Sequence, residues 1–452
     1  MDSRRPGDIP MTTIHIVGAG VAGIAAAVSL SDSGRKVVLH EAAGQAGGRC
    51  RSLHDPVLDR TIDNGNHLLL GGNHAAFGLL DRIGARDRLI AAAEPAEFPF
   101  LDLATGERWT LRPNAGPLPW WMLVPSRRVP GTRFRDYLAL LKLLRAAPGA
   151  TVGDRLDTTS TLYKRLWEPL AVAALNIDPK LGSARLMGAV VAETFMRGGA
   201  ACQPFIARRG LSDTFIDPAL AWLGKRGFEL RTRARLRRLE VRDGRVAALE
   251  FAGDTVELAQ GDAVVLALPP AGTAELLPGL TVPEAHTAIL NAHYRLDRPA
   301  TLPGGQIFLG LIGGTAEWLF ARDDVISVTV SAADRLMDQS AGDLAALLWR
   351  DVAGACGLSE AMPPARIIKE KRATFRQTPA DSEQRPGART GFPNLSLAGD
   401  WTATGLPATI EGAIRSGNNA ASLLLRYSSV ERPGQPDIRA SHRSPMDISQ
   451  RA

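Results

Sequence analysis

The chain has 452 residues, 45% apolar and 22% charged, with a formal charge of +6. That balance excludes a disordered chain, and the length suits two or three domains. Three cysteines (Cys50, Cys202 and Cys356) with no C-x-x-C pair argue against a zinc site or disulfide framework and fit a cytoplasmic protein.

Residues 1–11 are rich in charge and proline and are expected to be disordered, with Met11 an alternative start. Residues 14–17 form a β-branched apolar run that suits a buried parallel strand. Gly18-Ala19-Gly20-Val21-Ala22-Gly23 follows, a complete G-x-G-x-x-G. An Ala-rich stretch to Leu30 reads as a helix, and Lys36–His40 reads as a second strand ending at Glu41. Strand, glycine turn, helix, strand and acid in that order make a dinucleotide fingerprint. Gly18 permits the tight turn, Gly20 admits a pyrophosphate, and Gly23 lets helix and strand pack closely. Val21, Ala22 and Gly23 open the helix, whose free N–H groups face phosphate. Glu41 is placed to accept from ribose hydroxyls.

Gly47-Gly48-Arg49 comes just past Glu41. A nicotinamide domain does not require it. The segment resembles that of flavoproteins in the amine oxidase, phytoene desaturase and protoporphyrinogen oxidase superfamily. The resemblance implies that this loop passes the pyrophosphate of FAD and that Arg49 adds positive charge there. It also implies that Asn64 and Gly65 lie near the cofactor.

Further along, residues 98–103 and Arg108–Leu111 flank Thr105-Gly106 and read as a hairpin, while residues 134–147 and 161–175 look helical. Residues 117–128, PLPWWMLVPSRR, combine adjacent tryptophans, an apolar run and paired arginines, which suits a segment dipping into a bilayer surface. The competing reading is core packing under a Pro-rich loop. Residues 231–268 read as paired strands turning at Asp243-Gly244, then a buried strand ending at Pro269-Pro270. By the resemblance, Leu236 makes the adenine-side backbone contact. Residues 307–311 and 326–330 look like strands of a mixed sheet. Residues 395–398 form another buried strand, closed by Gly399-Asp400, and a helix starts near Thr409 and Ile410. The resemblance gives Asp400 a hydrogen bond to the ribityl chain or pyrophosphate and aims the helix start at the flavin. No Cys or His stands in 395–417, so a non-covalent FAD is expected. Residues 428–452 are expected to be disordered.

The expected fold is therefore α/β: a Rossmann-type FAD-binding domain with an inserted substrate domain of mixed β-sheet and helices, similar to the amine oxidases. The FAD-binding domain is assigned to 12–70, 205–275 and 386–427, and the substrate-binding domain to 71–204 and 276–385.

Two runs narrow the resemblance. Asp63-Asn64-Gly65-Asn66-His67-Leu68-Leu69 and the long run from Gly399-Asp400-Trp401-Thr402 through Glu411-Gly412 resemble the hydroxysqualene dehydroxylases, with Glu317-Trp318-Leu319-Phe320 between them. Asn66 stands where Gln is expected. The resemblance implies reductive removal of the hydroxyl of hydroxysqualene, by hydride from N5 of reduced FAD, to give squalene. Such chemistry needs an acid, an apolar enclosure and an external electron donor, because the chain has no second G-x-G-x-x-G for a nicotinamide. His67 is the first choice of acid; a buried histidine holding a loop is the competing reading. Asp63 reads as structural, and Glu411 as either a substrate-orienting group or a helix-end acid. The alternatives are an oxidative carotenoid desaturase, an amine oxidase, or a non-catalytic carrier on the same fold. A basic stripe interleaved with aromatics is lacking, so nucleic acid is not an expected partner. The protein is expected on the inner face of a membrane, without a stretch long enough to span one.

Overall fold

The computed structural model describes residues 12–430 except 93, 117 and 360; for 427–430 it describes the helix alone. Of the expected disorder at 1–11 and 428–452, residues 428–430 are helical instead, continuing the C-terminal helix; the rest, and the start at Met11, fall outside the described residues.

Five short strands form a fully parallel sheet in the order Glu229–Arg231, Lys36–His40, Thr13–Val17, Ala263–Leu266, Leu395–Leu397. The three central strands are β-branched and Leu runs buried on both faces, as parallel strands require. On one face lie the helices Val21–Leu30 and Ile410–Val430, the latter running past residue 427, where the sequence reading ends the domain. These helices approach closely because Gly417 lacks a side chain: a Cβ there would stand 2.2 Å from the Ala22 carbonyl oxygen. On the other face lies an antiparallel sheet of Leu236–Arg242, Arg245–Phe251 and Asp254–Glu257, one strand more than the expected pair. Its apolar side (Leu236, Leu239, Val246, Leu249) packs on Val17, Val264 and Leu266.

A seven-stranded mixed sheet makes the second layer system, in the order Ala365–Phe375, His286–Arg295, Val325–Val330, Trp318–Arg322, Phe308–Ile312, Phe98–Asp102, Arg108–Leu111. All neighbours are antiparallel except Phe308–Ile312 with Phe98–Asp102. Helix Ala341–Cys356 shares one apolar core with this sheet, and helices between residues 134 and 202 share another.

Two helical expectations are refined and one placement is corrected. The stretch 134–147 is two short helices, Phe134–Tyr137 and Leu140–Leu144. The stretch 161–175 enters its α-helix through a π-type turn at Tyr163–Trp167. The segment 71–92, placed with the substrate-binding part, packs in the first core instead. Ala76, Phe77, Leu79, Leu80 and Ile83 of helix His74–Ile83 share that core with both helices on the parallel sheet. Strand Leu89–Ala91 pairs with Pro204–Ala207.

Candidate active site

The glycine turn is built by steric necessity. Gly18 has φ +104°, and a Cβ there would lie 2.4 Å from the Ala267 carbonyl oxygen; at Gly23 the corresponding distance to the Gly18 oxygen is 1.9 Å. Gly20 differs. Its φ is −72°, and a Cβ would meet nothing within 4 Å, so neither its conformation nor its own fold requires glycine. Open space above Gly20 fits a cofactor phosphate approaching the backbone. Helix Val21–Leu30 has no side-chain cap and no acid in its first turn, so its N-terminal N–H groups suit an anion. Glu41 accepts from the Ala19 N–H (3.0 Å) and the Ala43 N–H (2.8 Å), which fixes the acid at the end of the second strand. Leu236 is buried at the start of its strand, close in sequence to Ala234, whose N–H donates to the Glu41 carbonyl.

The two distant ends of the chain meet here. Gly47 bridges to Gly20, its N–H donating to the Ala19 carbonyl at 2.8 Å. Arg49 donates to Asp400 at 2.6 Å and to the Ala373 carbonyl. The Asp400 carboxylate beside it raises the Arg49 pKa above its ordinary value. Gly48, at φ +57°, faces the glycine turn closely: a Cβ there would stand 3.4 Å from the Gly20 Cα. Thr409 caps the long C-terminal helix, its Oγ1 accepting from the Gly412 N–H at 3.1 Å, and Ile410 is buried behind it. Arg385, which sequence reasoning missed, holds the loop between. Its buried guanidinium donates to the carbonyls of Asp400, Thr402 and Leu406. Burial lowers its pKa to about 10. A lone arginine in an irregular segment carries no pattern that would have exposed it.

The second half of the site is the 63–67 loop, which faces the mixed sheet. Asp63 is buried; it accepts from Ser52 Oγ (2.6 Å), the Leu211 N–H (2.8 Å) and Arg322 Nη1 (2.8 Å). Asn64 donates to Glu370 at 3.2 Å, and its carbonyl accepts from Asn291 at 3.2 Å. Asn66 donates to Thr329 (3.1 Å), which donates to Asn291 Oδ1 (2.8 Å). Gly65 gives room: a Cβ would stand 3.4 Å from Asn291 Nδ2 and 3.9 Å from His67 Nε2. His67 lines a small cavity with Asp63, Asn66, Leu211, Phe320 and Ser327. Burial lowers its pKa, Asp63 raises it, and Arg49 lowers it again, with a net fall. The neutral imidazole is therefore favoured, and once protonated it is a stronger acid than an ordinary imidazolium. Arg322, Asn291 and Thr329 were not singled out from the sequence, because strand residues on alternating faces gain a role only from the loop packed against them.

Glu411 is not free to act. Its carboxylate accepts from the Ala75 N–H (3.0 Å) and the Ala76 N–H (2.8 Å), capping helix His74–Ile83 from another element, and pairs with Arg415 at 2.8 Å. Arg415 also pairs with Glu193. Of the three acid candidates, the structure sets His67 beside Asp63 and places Glu411 in a helix cap. Glu317 is a carboxyl to which no role was assigned. Burial pushes it up to about 7, against hydrogen bonds from Ser331, whose N–H donates at 2.8 Å, and the charge of Arg335.

The fold and this arrangement define a flavoprotein oxidoreductase. A profile of the family described as "Flavin containing amine oxidoreductase" matches residues 21–425, and the chain belongs to that family. A putative protoporphyrinogen oxidase from Exiguobacterium has the same fold, with a TM-score of 0.66 at 17% identity, covering 92% of this chain and all of that one. Within the family the chain belongs with the hydroxysqualene dehydroxylases. It is 50% identical to that of Rhodopseudomonas palustris, over 91% of this chain and 98% of the relative. It is 47% identical to that of Sinorhizobium fredii, with the same coverage. The protein is a flavin-dependent oxidoreductase.

Proposed function

We propose that the protein reduces hydroxysqualene to squalene and water, using non-covalent FAD recharged by an external electron donor. The observation that carries this reading is the 50% identity, over nearly the full length of both chains, to a hydroxysqualene dehydroxylase. In the reaction the C–O bond breaks, a hydride joins the carbon, and a proton joins the departing oxygen. Reduced FAD, when bound, supplies the hydride. The backbone at Gly18, Gly20 and Val21–Gly23 binds the pyrophosphate, and Glu41 the ribose. Asp400, Thr409 and Ile410 hold the ribityl and flavin end. His67 Nε2 holds the proton for the leaving hydroxyl, and Asp63, fixed by Arg322, supports that imidazolium electrostatically. The unit built on the parallel sheet is the FAD-binding domain, and the mixed sheet with its helices is the substrate-binding domain. The protein works in the cytoplasm, in peripheral contact with the membrane that holds its substrate.

The test is anaerobic turnover of hydroxysqualene with reduced FAD in D₂O, where the flavin N5 hydrogen exchanges with solvent. Squalene with one deuterium at the former carbinol carbon is expected. Failure to form squalene, with flavin reduced instead by a carotenoid precursor, would move the protein to the oxidative branch.

A further inference from the structure

The chain's net charge has an uneven address. Residues 112–145 hold seven basic side chains and one acidic one, a surplus of +6 that equals the formal charge of all 452 residues. Arg112 pairs with Glu97, and Arg135 lies 3.9 Å from Asp136. Arg127, Arg128, Arg133, Lys142 and Arg145 make no ion pair among the described residues. Arg133, Arg135, Lys142 and Arg145 are exposed.

The same segment carries large apolar side chains in water. Leu118 is 76% exposed and Leu123 60%, and Trp120, Phe134, Leu138 and Leu141 are each at least 40% exposed. These are not frayed ends. Trp121 is buried against Tyr137 with ring centroids 5.3 Å apart, and Tyr137 OH accepts from the Val129 N–H at 3.0 Å. Trp121, Tyr137, Leu140 and Leu143 point inward into the substrate-side core, which forces Trp120, Leu123, Phe134, Leu138 and Leu141 outward on the same supports. The Arg127 guanidinium lies 4.8 Å from the Trp120 ring centre, holding an exposed indole next to a cation.

We propose that this face, built from residues 118–145, docks the protein on an anionic lipid bilayer. It extends the membrane contact of the function proposed above by naming the surface and the headgroup charge. Exposed Leu, Trp and Phe enter the acyl boundary, while the arginines and Lys142 meet lipid phosphates. Basic groups near a charged bilayer act together with apolar insertion, which is enough for reversible attachment. A second copy of this chain is a poor occupant, because an isologous contact would set the +6 surplus against itself.

The experiment is co-sedimentation of the flavin-loaded full chain with vesicles of phosphatidylcholine alone or with about one third phosphatidylglycerol, at low salt and at about 0.5 M salt. Binding is expected only to the phosphatidylglycerol vesicles and is expected to fall at least tenfold at the higher salt. Trp120→Ser with Leu123→Ser, and separately Arg133→Ala with Arg135→Ala, should each weaken binding about tenfold, with unchanged turnover of detergent-dispersed substrate. Equal binding to both vesicle types, or unweakened binding by both variants, overturns the proposal. So does a dimer in lipid-free solution that the same variants dissolve. Vesicle binding needs no turnover, so it stands or falls separately from the hydroxysqualene reading.

Discussion

The glycine turn at 18–23 and the loop at 63–67 are both short and both rich in small or polar residues. They are held by opposite means. The turn is shaped by its own backbone: Gly18 and Gly23 are demanded by carbonyls within 2.4 Å of where a Cβ would sit. The loop is shaped by partners far away in sequence, with Asp63 tied to Arg322 and Leu211, Asn64 to Glu370 and Asn291, and Asn66 to Thr329. A site held locally is readable from spacing. A site held by remote strands is not, because spacing says nothing about which strand arrives.

That contrast can be broken at several points. Gly23→Ala should have the largest effect, costing about 3 kcal/mol or more in denaturant unfolding, since the new methyl overlaps backbone that cannot yield. Gly20→Ala should leave unfolding of the apoprotein unchanged, yet lower bound flavin at least tenfold, read from the visible absorbance of the purified protein. If both variants keep flavin, the turn does not serve as the cofactor cradle. In the loop, Asp63→Asn leaves the Arg322 guanidinium without its carboxylate and should cost about 3 kcal/mol. A neutral result would mean that Ser52 and the Leu211 amide hold the loop without the charge.

His67→Gln should lower turnover about 100-fold with flavin content intact. In the wild type, because burial depresses the imidazole pKa, turnover should fall as pH rises through a value below the ordinary 6.5. The same residue makes folding stability decrease as pH drops below 6.5, because the unfolded chain then binds more protons. A pH-rate profile identical in His67→Gln removes it as proton donor. Glu411→Ala should cost about 2 kcal/mol through the lost cap on helix His74–Ile83, while the folded fraction keeps its turnover per flavin. A collapse of turnover per flavin would return Glu411 to the chemistry.

A purely pH-dependent effect on stability is expected at Glu317. Its folded pKa, about 7, lies above the ordinary 4.5 of an unfolded glutamate. The group therefore favours the folded state fully below about 4.5 and loses that contribution as pH rises through 7. Glu317→Gln should flatten the fall in stability between pH 5 and 8 by about 2.5 kcal/mol, seen in melting profiles.

The sequence by itself determined the parallel sheet, the glycine turn, the acid at Glu41, the second glycine loop and the C-terminal Gly-Asp turn. Each is a short-range demand of backbone geometry or of β-branched runs, and such demands are written within a few residues. It also showed the hairpin at 98–111 and two further strands of the mixed sheet, near 307–311 and 326–330, but not its longest strands, His286–Arg295 and Ala365–Phe375. Tertiary structure alone decided that Arg49 meets Asp400, that helix His74–Ile83 joins the first core, and that Glu411 caps that helix. It alone decided which strand residues line the His67 cavity. The physical reason is that a side chain's partner and its burial are properties of packing between elements distant in sequence. Those contacts set whether a carboxylate caps a helix, pairs with an arginine or holds a proton.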